Sequence, residues 1–236
     1  MSTFGWIMVF ALLSFTVNGL GILAIFMHKE WAEKAKNYIM CFAAGVLVST
    51  SLILALPQAV KYNFYAGFIA LIGFLFMYFS NELIKHFTKE KELVFGITAA
   101  EGIGIHSFID GIIYTVTFNV SILVGVLSAT GLVVHEFAEG IITYLVLIKG
   151  GINKKIAGLY AFMIAGLTTP LGAFLVYPFV NKVEKPMLGL MLGFVAGVLL
   201  YVSASHLLPE ARERKHSIFA FLSGVGLAFF ITLTKL

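Results

Sequence analysis

His106-Ser107-Phe108-Ile109-Asp110-Gly111 and His135-Glu136-Phe137-Ala138-Glu139-Gly140 are two copies of one short pattern, each set inside a long apolar stretch. In each copy a histidine and a carboxylate stand four residues apart, so they lie one above the other on the same face of a helix. Ionisable side chains deep in such a stretch are costly and face a protein interior or a wet cavity. Two such faces side by side present two imidazoles and two carboxylates to one point, which is the donor set of a divalent-metal site.

The surrounding composition defines the solvent. Of 236 residues, 60% are apolar and only 12% are charged, and the mean hydropathy is +0.98. A soluble domain carries about 25% charged residues. The apolar residues come in uninterrupted blocks rather than amphipathic stripes, which predicts an all-α integral membrane protein lodged in a lipid bilayer. The pI near 9.1 does not point to nucleic acid, because the basic residues sit in short loops without interleaved aromatics. The single cysteine, Cys41, excludes an intrachain disulfide and reads as a small packing residue. No Lys or Arg precedes the first apolar block, so that block reads as a retained helix and not as a signal peptide.

Eight spans fit, at roughly 4–27, 37–59, 63–86, 94–118, 121–148, 156–180, 187–209 and 217–234. With only short connections between them, residues 1–236 read as a single polytopic transmembrane domain. The loops after spans one, three, five and seven hold Lys29, Lys34, Lys36, Lys85, Lys89, Lys91, Lys149, Lys154, Lys155, Arg212, Arg214 and Lys215. The other side holds Lys61, Lys182, Lys185 and Lys235, which completes the 16 basic residues. The positive-inside rule therefore puts both termini outside the cytoplasm of a multi-pass plasma-membrane protein.

Two internal repeats support this count. At an offset of 29, His106, Phe108, Gly111, Ile112 and Ile113 match His135, Phe137, Gly140, Ile141 and Ile142, and Asp110 is matched by Glu139. At an offset of 152, Phe42, Ala44, Gly45, Val46, Leu47, Ser51, Leu56, Pro57 and Ala59 match Phe194, Ala196, Gly197, Val198, Leu199, Ser203, Leu208, Pro209 and Ala211. Each pair crosses the membrane in opposite directions. Matching sequence with opposite direction marks an inverted repeat, here of a 3+2+3 plan, and that plan is usual for a secondary transporter.

His106, Asp110, His135 and Glu139 are thus the candidate metal ligands. Neutral imidazole suits borderline ions such as Zn²⁺, and two carboxylates supply about −2 of compensating charge. The same donors also accept Fe²⁺, Mn²⁺ or Cd²⁺, so the sequence does not choose among them. Glu136 points about 100° away from His135 round the helix. It reads as a ligand of a second site, a proton carrier or a partner of the first ligands. Ser107, its equivalent, reads as a weak ligand or a small packing residue. Glu101, His206 and Glu210 are candidate pathway residues, with a place near the wet interface as the alternative for each.

These signatures resemble the ZIP (Zrt/Irt-like) family of divalent metal transporters, in its bacterial and archaeal form. The resemblance spans the chain. His106-Ser-Phe-Ile-Asp110-Gly111 is similar to the family's His-Asn-x-x-(Asp/Glu)-Gly on the fourth helix. His135-Glu136-Phe-Ala-Glu139-Gly140 is similar to its fifth-helix motif, and Leu207-Leu-Pro-Glu210-Ala and Leu56-Pro-Gln58-Ala to its Leu-Pro-Glu-Ala endings. The resemblance implies a primary transport site at His106, Asp110, His135 and Glu139, beside a second site at Ser107, Glu136 and Glu139. It further implies that spans two, four, five and seven form the transport bundle.

Three departures shape the expectation. Thr169 precedes Pro170-Leu-Gly172 where the family often has an acid, and Ser107 replaces the Asn, so one ion is expected rather than two. Ile109 and Ala138 replace the usual proline between the paired ligands, which removes its unwinding effect.

The expected function is transport of Zn²⁺ or another divalent cation into the cytoplasm, with the metal as cargo and no cofactor. The alternative is an intramembrane zinc hydrolase using His135, Glu136 and Glu139, since His-Glu-x-x-Glu is one ligand short of the His-Glu-x-x-His signature. The sequence leaves a homodimer open.

Overall fold

Few helix breakers interrupt the apolar blocks, and each block becomes a helix. The computed structural model describes residues 1–87, 92–211 and 217–233, without the side chains of 84–87, 92–99, 102, 206, 210 and 211. Eight rods are described. They are α1 (Thr3–Met27), α2 (Lys29–Tyr62), α3 (Ala66–Phe87), α4 (Glu92–Val120), α5 (Ile122–Lys149), α6 (Lys154–Val180), α7 (Lys185–Tyr201, then Val202–Leu207 and Leu208–Ala211) and α8 (Ser217–Leu233). The described residues contain no strand. Seven rods are long and apolar enough to cross a membrane, and α8 is a shorter apolar helix.

One boundary differs from expectation by more than a turn. The second span was expected from residue 37, but α2 starts at Lys29, directly after His28. Hydropathy misses this stretch because Lys29, Glu30, Glu33, Lys34 and Lys36 are charged. They are nonetheless good helix formers, Lys29 pairs with Glu33 one turn on, and Trp31 lies edge-on to Phe137.

Three π-helical segments interrupt the rods: Ser51–Ala55 in α2, Phe162–Gly166 in α6 and Val202–Leu207 in α7. Each includes the residue four before a proline: Ile53 before Pro57, Gly166 before Pro170 and Ser205 before Pro209. A proline ring lacks the N–H that would bond that carbonyl and clashes with it, so the helix widens locally. By contrast, α4 and α5 run unbroken through both signatures, consistent with Ile109 and Ala138 in place of proline.

The inverted repeat is written in the packing. Gly21 of α1 lies on the carbonyl of Phe137 in α5, and Gly140 of α5 lies on the carbonyl of Asn18 in α1. The same reciprocal contact joins α6 to α4, with Gly172 on Phe108 and Gly111 on Thr169. A second set joins α2 to α8 (Gly45 on Phe221, Gly224 on Phe42) and α7 to α3 (Gly197 on Ala70, Gly73 on Phe194). In every case a glycine meets the carbonyl three residues before its partner glycine. A Cβ at any of these positions would overlap backbone atoms, so only glycine permits the approach.

These seams correct the expected grouping. They bind α4 and α5 to α6 and α1, while α2 and α7 close on α8 and α3. Packing of α2 on α5 joins the two groups, with Gly131 against Leu47. The polarity of the whole is inverted relative to a soluble protein. Asn18, Ser107, Asp110, His135, Glu136 and Thr169 are all fully buried, while large apolar side chains such as Phe68, Phe79 and Phe219 stand exposed.

Candidate metal centre

The centre forms where α4 and α5 pack against each other. His106 Nε2 lies 3.7 Å from Asp110 Oδ2 and 3.2 Å from Glu139 Oε1. His135 Nε2 lies 3.3 Å from Asp110 Oδ2 and 3.4 Å from Glu139 Oε1. All four donor atoms fall within 4.8 Å of one another. A tetrahedral ion with ligand bonds of about 2.0–2.1 Å needs donors about 3.3–3.4 Å apart, and these four contacts bracket that spacing.

Burial sharpens the case. His135 and Asp110 are fully buried, yet among the described residues neither nitrogen of His135 and neither oxygen of Asp110 makes a hydrogen bond, the 3.3 Å approach of Nε2 to Oδ2 being an ion-pair contact. Polar atoms withdrawn from water without partners are costly, and a cation at the focus would satisfy His135 Nε2 and Asp110 Oδ2 together. His106 is the most accessible of the four donors, with 14% of its side-chain surface exposed against 8% for Glu139.

A second layer holds the donors in place. Ser107 donates to Glu139 Oε2 at 2.9 Å, which leaves Oε1 facing the two imidazoles. Glu136 does not join the cluster. Its Oε2 accepts from Asn18 Nδ2 at 2.9 Å and its Oε1 from Thr169 Oγ1 at 2.7 Å. Asn18 and Thr169 precede Gly21 and Gly172 by three residues each and are equivalent positions of the repeat. Sequence reasoning missed Asn18. Its signal was an isolated amide in the first apolar block. Ser14, one turn before it, hydrogen-bonds the buried Tyr114 of α4.

Of the candidate pathway residues, Glu101 separates from the centre. Glu101 lines a groove between α4 and α6, on a face of α4 turned away from His106 and Asp110. The side chains of His206 and Glu210 lie outside the described residues.

The ZIP Zinc transporter family matches residues 90–232, a stretch that contains all four candidate ligands. The chain belongs to the ZIP family. This ZIP protein is 30% identical to the zinc transporter ZupT of Chlorobium limicola over 242 residues, covering 90% of each chain. It is 32% identical to the zinc transporter ZupT of Oceanobacillus iheyensis over 248 residues, covering 89% of this chain and 90% of that one. A ZupT of Nitratidesulfovibrio vulgaris reaches 40% identity over 136 residues, 56% of this chain and 48% of its own. ZIP membership makes the chain a multi-pass divalent-metal transporter and not an enzyme.

Proposed function

We propose that the protein carries Zn²⁺ across the plasma membrane into the cytoplasm, one ion at a time, as a single polytopic domain with both termini outside. The observation that carries this reading is the four-donor cluster of His106, Asp110, His135 and Glu139, with contacts of 3.2–3.7 Å. Its mixed imidazole and carboxylate set favours zinc over the all-oxygen cages of Mg²⁺ or Ca²⁺. Two carboxylates offset the ion's charge, so the loaded site is close to neutral inside the membrane. The zinc transporters named above support the same cargo.

The second layer supports single occupancy. Both oxygens of Glu136 are taken by Asn18 and Thr169, and the second oxygen of Glu139 is taken by Ser107. The same bonds weigh against the hydrolase reading. A general base has to reach a metal-bound water, and Glu136 is turned toward α1 and α6 instead.

The test is ⁶⁵Zn²⁺ uptake into proteoliposomes by Asp110→Ala and Glu139→Ala, with anomalous scattering at the zinc edge on the unaltered protein. The expected result is loss of uptake in both variants and one anomalous peak between the imidazoles of His106 and His135. Normal uptake by both variants, or a peak elsewhere, overturns the assignment.

A further inference from the structure

On the outer side of α4 and α6 a groove of about 820 Å³ opens, walled by Glu101, Ile105 and Phe108 on one helix and Leu159, Tyr160 and Met163 on the other. It starts where the glycine seam ends, at Gly104 against Ile164, and the π segment Phe162–Gly166 forms part of its wall. Ile105 is 60% and Leu159 62% exposed, so in a membrane these walls meet lipid.

Glu101 is the anomaly. It is exposed within this apolar wall and, among the described residues, has neither an ion-pair nor a hydrogen-bond partner. It stands five residues before His106, about 7–8 Å along the helix axis. That puts it on a lipid-facing wall, displaced from the metal centre toward the basic end of α6. A carboxylate there needs a cation. Lys155, one turn before Leu159 on the same face of α6, puts an exposed positive charge nearer the mouth of the groove.

The inverted repeat supplies an internal control. The position equivalent to Glu101 on α5 is Thr130, whose hydroxyl is satisfied by the carbonyl of Val126 in its own helix. The position equivalent to Lys155 on α1 is Phe4. One half of the repeat thus carries an acid and a base along this groove, and the other half carries neither.

We propose that the groove binds one phospholipid with a primary-amine headgroup. Its ammonium sits on Glu101, its phosphate turns toward Lys155, and an acyl chain lies along Ile105, Phe108 and Met163. A primary ammonium donates charge-assisted hydrogen bonds to the carboxylate, which a choline headgroup cannot do. A net anionic headgroup would be repelled by Glu101. The proposal needs only that these helices lie in lipid, and it is independent of the transport mechanism.

Native mass spectrometry of the full chain, purified from mixed phosphatidylethanolamine and phosphatidylcholine bilayers, tests it. The expected result is one phosphatidylethanolamine retained per chain in preference to phosphatidylcholine. Glu101→Gln should lower that retention about tenfold, to the phosphatidylcholine level, with an unchanged circular dichroism spectrum. Ile105→Trp, which fills the groove, should displace both lipids. Equal retention of the two lipids by the unaltered chain, or undiminished retention by Glu101→Gln, overturns the proposal. So does a lipid-free dimer closed across Ile105 and Leu159. Zinc uptake enters none of these readings, so failure here and failure of the transport assignment are separately visible.

Discussion

Asn18 and Thr169 donate to opposite oxygens of one carboxylate, that of Glu136, at 2.9 and 2.7 Å. They occupy equivalent positions of the inverted repeat, so a single buried acid ties α1 and α6 to α5 beside the metal centre. Thr169→Val keeps the shape and removes one donor. The carboxylate oxygen left unpaired should cost about 1–3 kcal/mol, read as a lower melting temperature in detergent, and Thr169→Ser should restore most of it. An unchanged melting temperature for Thr169→Val would show that the tie contributes no stability.

Ser107 works on affinity rather than on the fold. Its bond to Glu139 Oε2 orients the carboxylate so that Oε1 meets both imidazoles. Ser107→Ala should weaken zinc binding about 10–100-fold, the usual cost of losing a partner that orients a ligand. Isothermal titration in detergent measures this directly, with the number of bound ions expected to stay at one.

Acid should oppose loading. A protonated imidazole has no lone pair to offer, so His106 and His135 must both be neutral when the ion binds. Protons and metal therefore compete: affinity falls as pH falls, and adding Zn²⁺ to the apo protein at mildly acidic pH releases protons. A pH electrode in weakly buffered solution reads the release, which should vanish in the His106→Ala, His135→Ala double variant.

Gly172 tests the seams. A side chain there meets the backbone of Phe108, and neither backbone can yield without separating α4 from α6. Gly172→Leu should destabilise by about 1–3 kcal/mol or prevent folding, seen as a lower melting temperature or lost expression. Gly226→Leu is the matched control, because a Cβ there meets nothing.

The meeting of His106, Asp110, His135 and Glu139 was legible in sequence because its geometry is local: each His and acid pair sits on one unbroken helix, and the spacing alone aligns them. The offset of 29 then brought the two helices together. What surrounds the centre was not legible. Asn18 reaches Glu136 across 118 residues of chain, and no periodicity reports such a meeting. The kinship of α1 with α6 was hidden for a related reason. At the seam its visible trace is Asn18 and Gly21 against Thr169 and Gly172, where the polar residues share a role and not an identity. The early start of α2 was lost because hydropathy scores charge, whereas helix formation at Lys29–Lys36 depends on propensity and on the Lys29–Glu33 pair.

The reciprocal glycine contacts also bear on how this protein can vary. At Gly21, Gly45, Gly73, Gly111, Gly140, Gly172, Gly197 and Gly224, every substitution adds atoms where a neighbouring backbone already lies. No other change in the chain can absorb that overlap, because the obstacle is main chain and not a side chain that a second mutation could trim. In a library of random variants these eight sites should therefore be invariant, while Gly67 and Gly226 drift freely. The fold's memory of its own duplication is held at the positions where the chain has the fewest atoms.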